Sequence, residues 1–515
     1  MRKIPIWIQD FKELRTKWFV YIDKTEDVLD MVNMNKYYFL PRPRRFGKSL
    51  LCSTMKYLFL WEKQLFEWLY AEKNRDWEQD FPVVYISFAG WWSKDEIEEY
   101  IWDNGRIVYK NWWEIEETRI KEFTNKYNKL QYIVEAIYEK YKKQVVILID
   151  EYDRPVLNVL QEKEKAEALR EEFRDFYSGI KDIDNQVRFF FLTGITKILK
   201  MSIFSVLNNL QDLFYNPIAY KLIWYTQSEL KEYFKEELKQ VAEFNWLTEE
   251  ESKKIIKQYY NGYNFWDPSD TVYNPWDMNN LMLNKMFNMY RSSTGIPSSV
   301  EEYVRWKWIN VEEIIDKLYK EELIVNETDL NLEDLNTITA EVLFLTSGYM
   351  TVGKKIVNKM ICKFPNKQVE NIVTDYFTRL RYGREKAYQL QSISENLIEW
   401  IKTQDKQKIK ESVEEVLNYI GNVSYEWYVR NPEGWLKTLL MMVINLTVDF
   451  SITEKHFIRW RSDIVLVIDW KKYLLEIKVD WDEEQIKEQL KKYEQEADVL
   501  MWINWDKKKN EVKVV

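Results

Sequence analysis

Short runs of consecutive apolar residues, Tyr37–Leu40, Val83–Ser87, Val145–Ile149 and Val187–Leu192, recur through the first part of the chain. Stretches with helical periodicity, such as Ser49–Trp61 and Glu164–Tyr177, lie between them. A strand that is apolar at every position, not at alternate ones, must be covered on both faces. Strands of that kind alternating with helices predict a parallel α/β sheet.

The pattern then changes twice. Gln227–Ala242, Thr248–Tyr260 and Val311–Leu323 carry charged faces at helical spacing. Asn261-Gly262-Tyr263 and Asp267-Pro268-Ser269 mark turns, and Arg291–Pro297 predicts a loop. Further on, Lys408–Tyr419 and Glu433–Asn445 predict helices. Two strands follow, Asp463–Ile468 and Tyr473–Val479, joined through Asp469–Lys472; then come a charged helix, Asp482–Glu496, and a strand, Val499–Asn504. A chain of 515 residues exceeds one ordinary core. The expected units are an α/β domain over 1–225, a mostly helical region over 226–404 and a second α/β domain over 405–515.

Composition narrows the chemistry. Basic residues number 75 against 84 acidic ones, a net charge of −9. This balance argues against a non-specific nucleic-acid coat protein and still leaves room for a local basic groove. Two distant cysteines, Cys52 and Cys362, give neither a disulfide framework nor zinc spacing. No apolar leader is visible, and the longest apolar stretch, near Leu439–Leu446, is too short to span a bilayer. A cytoplasmic protein without a membrane partner is expected. The single histidine, His456, leaves metal chemistry to carboxylates and favours Mg²⁺ or Mn²⁺ over zinc. The chain also holds 24 tryptophans against 12 glycines, as core filling or as stacking surfaces for bases.

Arg42-Pro43-Arg44-Arg45-Phe46-Gly47-Lys48-Ser49 follows one predicted strand and opens a helix. This is the context of a phosphate-binding loop, in which free N–H groups and the helix dipole receive phosphate. Lys48 would reach the β- and γ-phosphates and Ser49 would ligate Mg²⁺. Arg42 stands where the full motif has its first glycine. The apolar strand Val145–Ile149 ends in Asp150 and Glu151. Asp150 would hold Mg²⁺ through water, and Glu151 would activate an attacking water. Thr193, at the end of another strand, stands where a polar residue could sense the γ-phosphate, although Thr-Gly is also common turn chemistry. Arg42, Arg44 and Arg45 could reach a neighbouring subunit's nucleotide or simply line their own loop.

These segments, with Ile4-Pro5, Asp10-Phe11, Tyr21-Ile22-Asp23-Lys24-Thr25, Ile149-Asp150-Glu151-Tyr152-Asp153 and Asn274-Pro275-Trp276, resemble the AAA-ATPase-like family. Its members tend to lack the first glycine of the loop and commonly carry a C-terminal PD-(D/E)xK nuclease domain. The resemblance implies a P-loop NTPase-like parallel sheet, a helical lid or linker and a restriction-endonuclease-like α/β domain. Asp23 and Glu26 are also spaced like a capping box at a helix start.

The C-terminal residues carry a matching pattern. Asp463 begins a strand, and Glu476-Ile477-Lys478 lies on the next, where Glu476 and Lys478 share a face. Two carboxylates would hold a divalent cation, and Lys478 would orient a water or stabilise developing charge. An exposed hairpin bearing an ion pair is the plain alternative. Gln489-Leu490-Lys491-Lys492-Tyr493 is similar to the Gln-x-x-x-Tyr pattern of the exonuclease branch of the superfamily, with Gln485 competing for that role. Trp460-Arg461-Ser462-Asp463 resembles a Gly-Arg-x-Asp segment with tryptophan in the glycine's place. The resemblance implies Glu433 as a third acid; a first-turn acid complementing the helix dipole has the same position.

The expectation is an ATP-binding, Mg²⁺-dependent deoxyribonuclease whose nucleotide domain regulates or powers it. Its partners would be nucleotide and nucleic acid, DNA by resemblance, with assembly into a homo-oligomer open. The alternative is a nucleotide-sensing switch with a vestigial nuclease site.

Overall fold

The computed structural model describes residues 3–89, 106–111, 114–119, 130–159, 162–197, 209–265, 269–291, 311–319, 322–330, 339–420, 432–447, 452–457, 463–482, 485, 497–509 and 511–515. Within these, seven strands form the first sheet: β1 (Tyr37–Pro41), β2 (Val83–Ser87), β3 (Arg106–Asn111), β4 (Glu114–Arg119), β5 (Val145–Asp150), β6 (Val187–Gly194) and β7 (Gln211–Asp212). Their order is β4-β3-β2-β5-β6-β1-β7. From β2 to β7 every pairing is parallel, and β3 and β4 extend the edge as an antiparallel pair. Strands β1 and β5 are buried along their whole length, as continuous apolar runs require. Strand β6 lies between them, so the ends of β1 and β5 are parallel but not adjacent.

The middle of the chain is not one helical body. Helices Gln227–Tyr233 and Glu249–Tyr260 begin with capping boxes, Thr226 with Glu229 and Thr248 with Glu251, that satisfy their first N–H groups. With the helix Pro275–Asn284 they form a small core that takes in Ile4 and Ile22 from the N-terminal segment. Farther along, β8 (Leu323–Asn326), β9 (Thr351–Ile356) and β10 (Lys359–Lys363) make a three-stranded antiparallel sheet, order β8-β10-β9. The expected helix over Val311–Leu323 stops at Tyr319, and Leu323 opens β8, whose alternating burial fits the β-branched pattern Ile324-Val325. Leu323, Val325, Val352 and Met360 of this sheet belong to the same hydrophobic core as the seven-stranded sheet. The Asp23–Glu26 segment is likewise not a capping box. Lys24 is the N-cap, and Asp23 accepts hydrogen bonds from the Thr25 amide and hydroxyl at 2.9 and 2.7 Å.

The last sheet has the order β11-β12-β13-β14-β15: β11 (Ile452–Phe457), β12 (Asp463–Ile468), β13 (Lys471–Val479), β14 (Val499–Asp506) and β15 (Glu511–Val514). The β13–β14 pairing is parallel and the others antiparallel. Strand β11 is an element the sequence pattern did not predict. The core beneath the sheet draws on helices Lys406–Ile420 and Pro432–Ile444, and also on Leu390, Ile393 and Leu397 of the helix Arg384–Thr403. The C-terminal body therefore begins ahead of the expected boundary at 405. Among the described residues no helix is long and apolar enough to cross a membrane.

Candidate functional site

The chain leaves β1 at Pro41, turns through the arginine-rich loop and enters the helix Lys48–Phe59, with Gly47 (φ 79°) as N-cap. The loop's left-handed residues are Arg45 (φ 68°) and Gly47. Arg42 is not one of them, so its position does not require glycine. Its side chain is fully buried, lies 4.4 Å from the Phe265 ring centroid and donates to the Pro41 and Phe214 carbonyls. Burial brings its pKa down to about 9, with Asp212 acting the other way. Arg42 thus anchors the loop instead of reaching toward another subunit. Phe46 anchors it from the other side, packed against Trp224 and Tyr263 at 4.2 and 4.9 Å.

Inside the loop, Lys48 Nζ donates to the Arg42 and Pro43 carbonyls at 3.0 and 2.9 Å. Burial lowers its pKa, opposed by Asp150 and Glu151. Ser49 Oγ donates to Asp150 Oδ2 at 2.6 Å, joining the helix start to the end of β5. Asp150 is 2% exposed, and its Oδ1 has no hydrogen-bond partner. Burial raises its pKa to about 6, with Glu151 adding to the effect and Ser49 and Lys48 opposing it. A hydroxyl and a carboxylate with one idle oxygen, at a helix N-terminus, fit the donor set of a nucleotide-bound Mg²⁺.

A cavity of about 310 Å³ opens beside this group, lined by Arg44, Gly47, Lys48, Ser49, Glu151 and Arg154. Its lining also includes Lys24, Tyr225 and Asn279, which sequence reasoning missed because each comes from a separate segment. Lys24 is buried and ion-paired with Glu229, the same residue that closes the Thr226 capping box. Glu151 holds a left-handed backbone (φ 54°) and pairs with Arg154 at 2.6 Å. Asp153 has turned away from the cavity: its carboxylate accepts from the Ile195 and Thr196 amides and the Thr196 hydroxyl, pinning the segment after β6. Thr193 is fully buried, and its hydroxyl donates to the Leu40 carbonyl at 2.7 Å, between β6 and β1.

The second group lies on the C-terminal sheet. The β12–β13 register pairs Asp463 directly with Glu476. Glu476 is 1% exposed, and its Oε2 has no partner among the described residues. Its Oε1 lies 2.6 Å from Lys478 Nζ, a close ion pair. Lys478 Nζ also donates to Glu433 Oε1 at 3.1 Å, bringing in the first turn of the helix Pro432–Ile444. Burial works against the Lys478 ammonium, but Glu476 and Glu433 more than offset it and raise its pKa. Glu476 and Lys478 of β13 and Glu433 of the helix Pro432–Ile444 therefore converge. The side chain of Asp463, and Gln489 altogether, lie outside the described residues. Gln485 exchanges hydrogen bonds with Asp482 in the turn after β13. Among the described residues no three His, Cys, Asp or Glu side chains form a metal-holding group. Glu476, buried with an idle oxygen, is the described carboxylate of this group that could serve as a ligand to a divalent ion.

A family model described as a predicted AAA-ATPase, AAA-ATPase-like, matches residues 5–204, the stretch holding the loop, Asp150 and Thr193. The chain is similar to an uncharacterized protein in the vnfD 5′ region of Azotobacter chroococcum mcd 1. The two are 28% identical over 494 residues, 93% of this chain and 89% of that protein. No solved structure matches the chain.

Proposed function

We propose that the chain is a nucleotide-regulated nuclease. ATP with Mg²⁺ occupies the cavity at Lys48, Ser49 and Asp150, and nucleic acid, DNA by preference, is cleaved at Asp463, Glu476 and Lys478. The observation that carries the second half is Glu476. A carboxylate 1% exposed, with one ammonium beside Oε1 and Oε2 idle among the described residues, is costly to keep, and structural ion pairs are normally better satisfied than this. A divalent ion shared with Asp463 would remove that cost. When bound, it would polarise the scissile phosphate and acidify a water. Lys478 orients that water and stabilises charge on the phosphate oxygens, and Glu433 holds Lys478 in place. Gln489 is proposed to fix the same water. In the nucleotide site Lys48 exchanges its two carbonyl partners for phosphate oxygens, Arg44 lines the phosphate path and Glu151 orients a water once it leaves Arg154.

Regulation has a physical route. The helix that carries Glu433 is bonded to the middle of the chain, which shares a core with the first sheet: Thr438 to Asp316 at 2.8 Å, and Asn445 to Glu370 at 2.7 Å. Met442 of that helix packs in the N-terminal core. A shift of the nucleotide domain therefore bears on the element that positions Lys478.

The test is cleavage of labelled linear, circular and single-stranded DNA, and of RNA, with Mg²⁺ or Mn²⁺ and with or without ATP. It compares wild type, Glu476→Ala and Lys48→Ala. Cleavage lost in Glu476→Ala and altered in its ATP response in Lys48→Ala is the expected result. ATP binding with no cleavage of any substrate would leave a nucleotide-sensing switch.

A further inference from the structure

Fourteen described residues other than glycine hold a left-handed backbone, and six of them are tryptophan: Trp7, Trp18, Trp61, Trp68, Trp246 and Trp470. No phenylalanine or tyrosine is among them, although the chain has 25 and 34. A Cβ crowds the following carbonyl in this conformation, so it is glycine's region, shared with asparagine and aspartate. Tryptophan has no chemistry that suits it. The same six are also the exposed tryptophans among the described residues, from 41% at Trp61 to 95% at Trp246.

The local hydrogen bonds say which residue each position is built for. Trp18, Trp61 and Trp246 each follow a helix and close it in one pattern. For Trp246, its amide donates to the Glu243 carbonyl at 3.2 Å and the Leu247 amide donates to Ala242 at 3.0 Å. Trp18 with Phe19, and Trp61 with Glu62, repeat this pairing on Arg15 and Leu14 and on Leu58 and Tyr57. This is the Schellman stop, whose left-handed residue is usually glycine. The usual form stands at Gly348 (φ 78°), with its amide on Leu345 and the Tyr349 amide on Phe344. Trp68 is the third residue of a turn closed by the Leu69 amide on the Phe66 carbonyl, after Glu67 at φ −51°, ψ 130°. That is a type II turn, which calls for glycine there. Asp469 and Trp470, φ 49° and 65°, form the two-residue hairpin between the paired residues Ile468 and Lys471. A type I′ hairpin of this kind favours Asp-Gly.

Core filling does not explain exposed rings, and a stacking surface does not require a left-handed backbone. Composition points the same way: the 24 tryptophans and 12 glycines together make up the share, about 7%, that glycine alone ordinarily takes. Glycine and tryptophan codons differ in their first base, and UGA, a stop in the standard code, is open to either reading. We propose that Trp7, Trp18, Trp61, Trp68, Trp246 and Trp470 are encoded by UGA, and that the cell of origin reads these codons as glycine. The native chain then carries glycine at all six left-handed positions. One consequence, which rests on the nucleotide-binding reading, concerns the cavity. Trp7 lines its mouth and lies 4.4 Å from the Arg45 guanidinium, which also lies 4.5 Å from Trp276. With glycine at position 7, Arg45 keeps Trp276 and turns its other face to the ligand.

The experiment reads the codons at the six positions and the masses of the peptides that span them, from protein isolated from its own cells. UGA codons with glycine masses are expected. UGG codons, or UGA codons with tryptophan masses, would overturn the proposal. A parallel comparison sets the six-fold Trp→Gly chain against the all-tryptophan chain. A higher unfolding temperature for the glycine chain is expected, and an equal or lower one would count against the strain that motivates the proposal. Neither readout depends on ATP or nuclease activity, so failure of the functional reading leaves this test intact.

Discussion

Ser49 and Asp150 stand 101 positions apart in the chain and meet in a 2.6 Å hydrogen bond from hydroxyl to carboxylate. Two separate strand ends, those of β1 and β5, are needed to bring them together, with β6 between. The contact uses one carboxylate oxygen and leaves the other buried without a partner. An arrangement of this kind is poor as a structural brace and well suited to exchange a proton or a metal ion.

Asp150 therefore makes stability depend on pH. Its pKa rises from the ordinary 3.8 to about 6 because burial disfavours the charged form. The folded state then binds the proton more tightly than the unfolded one. The resulting stabilisation is complete below the unfolded value and is lost as pH rises through about 6. The loss is on the order of 3 kcal/mol at neutral pH. Asp150→Asn should recover much of it, with urea midpoints above wild type at pH 8 and converging toward pH 4. The same variant should bind Mg²⁺-ATP at least tenfold more weakly by calorimetry. Parallel urea curves across this range would show that Asp150 does not titrate as its burial implies.

Thr193 offers a sharper distinction between packing and sensing. Its hydroxyl is committed to the Leu40 carbonyl inside the sheet. Thr193→Val keeps the volume and removes the hydroxyl's bond to that carbonyl, at a cost of about 0.5–1.5 kcal/mol. The expected result is a lower unfolding midpoint with unchanged ATP affinity. Weaker ATP binding at unchanged stability would assign the hydroxyl to the nucleotide instead.

Much of this was legible in the sequence, and for specific reasons. Val145–Ile149 could be read as a covered strand because every residue in it is apolar, and Lys48-Ser49 could be placed because the loop sits between a strand and a helix. The convergence of Glu476, Lys478 and Glu433 followed from strand alternation and the resemblance together. The rest depends on geometry that one-dimensional periodicity does not carry. Strands β8 to β10 are short, β9 and β10 rich in lysine, and they read as part of a helical region until their pairing is seen. Lys24, Tyr225 and Asn279 reach the cavity from three segments whose meeting depends on the fold. Tryptophan excess was visible as a count, but only the backbone angles show where those residues sit.

The ion pair on β13 gives the last prediction, and it separates structure from catalysis. Glu476 has only Lys478 beside it among the described charges that pair with it, whereas Lys478 also has Glu433. Lys478→Met therefore strands a carboxylate that is 1% exposed, which should cost about 3–5 kcal/mol. Glu476→Gln removes the buried charge and leaves Lys478 paired with Glu433, so its cost should be under about 2 kcal/mol. Combining the two removes the stranded charge, and the double variant should be more stable than Lys478→Met alone. Urea unfolding of the four chains gives the coupling directly. Cleavage, if Glu476 and Lys478 act as proposed, should vanish in all three variants, including the well-folded Glu476→Gln. A Glu476→Gln chain that folds normally and still cuts DNA would assign the pair to the core of the domain and not to its chemistry.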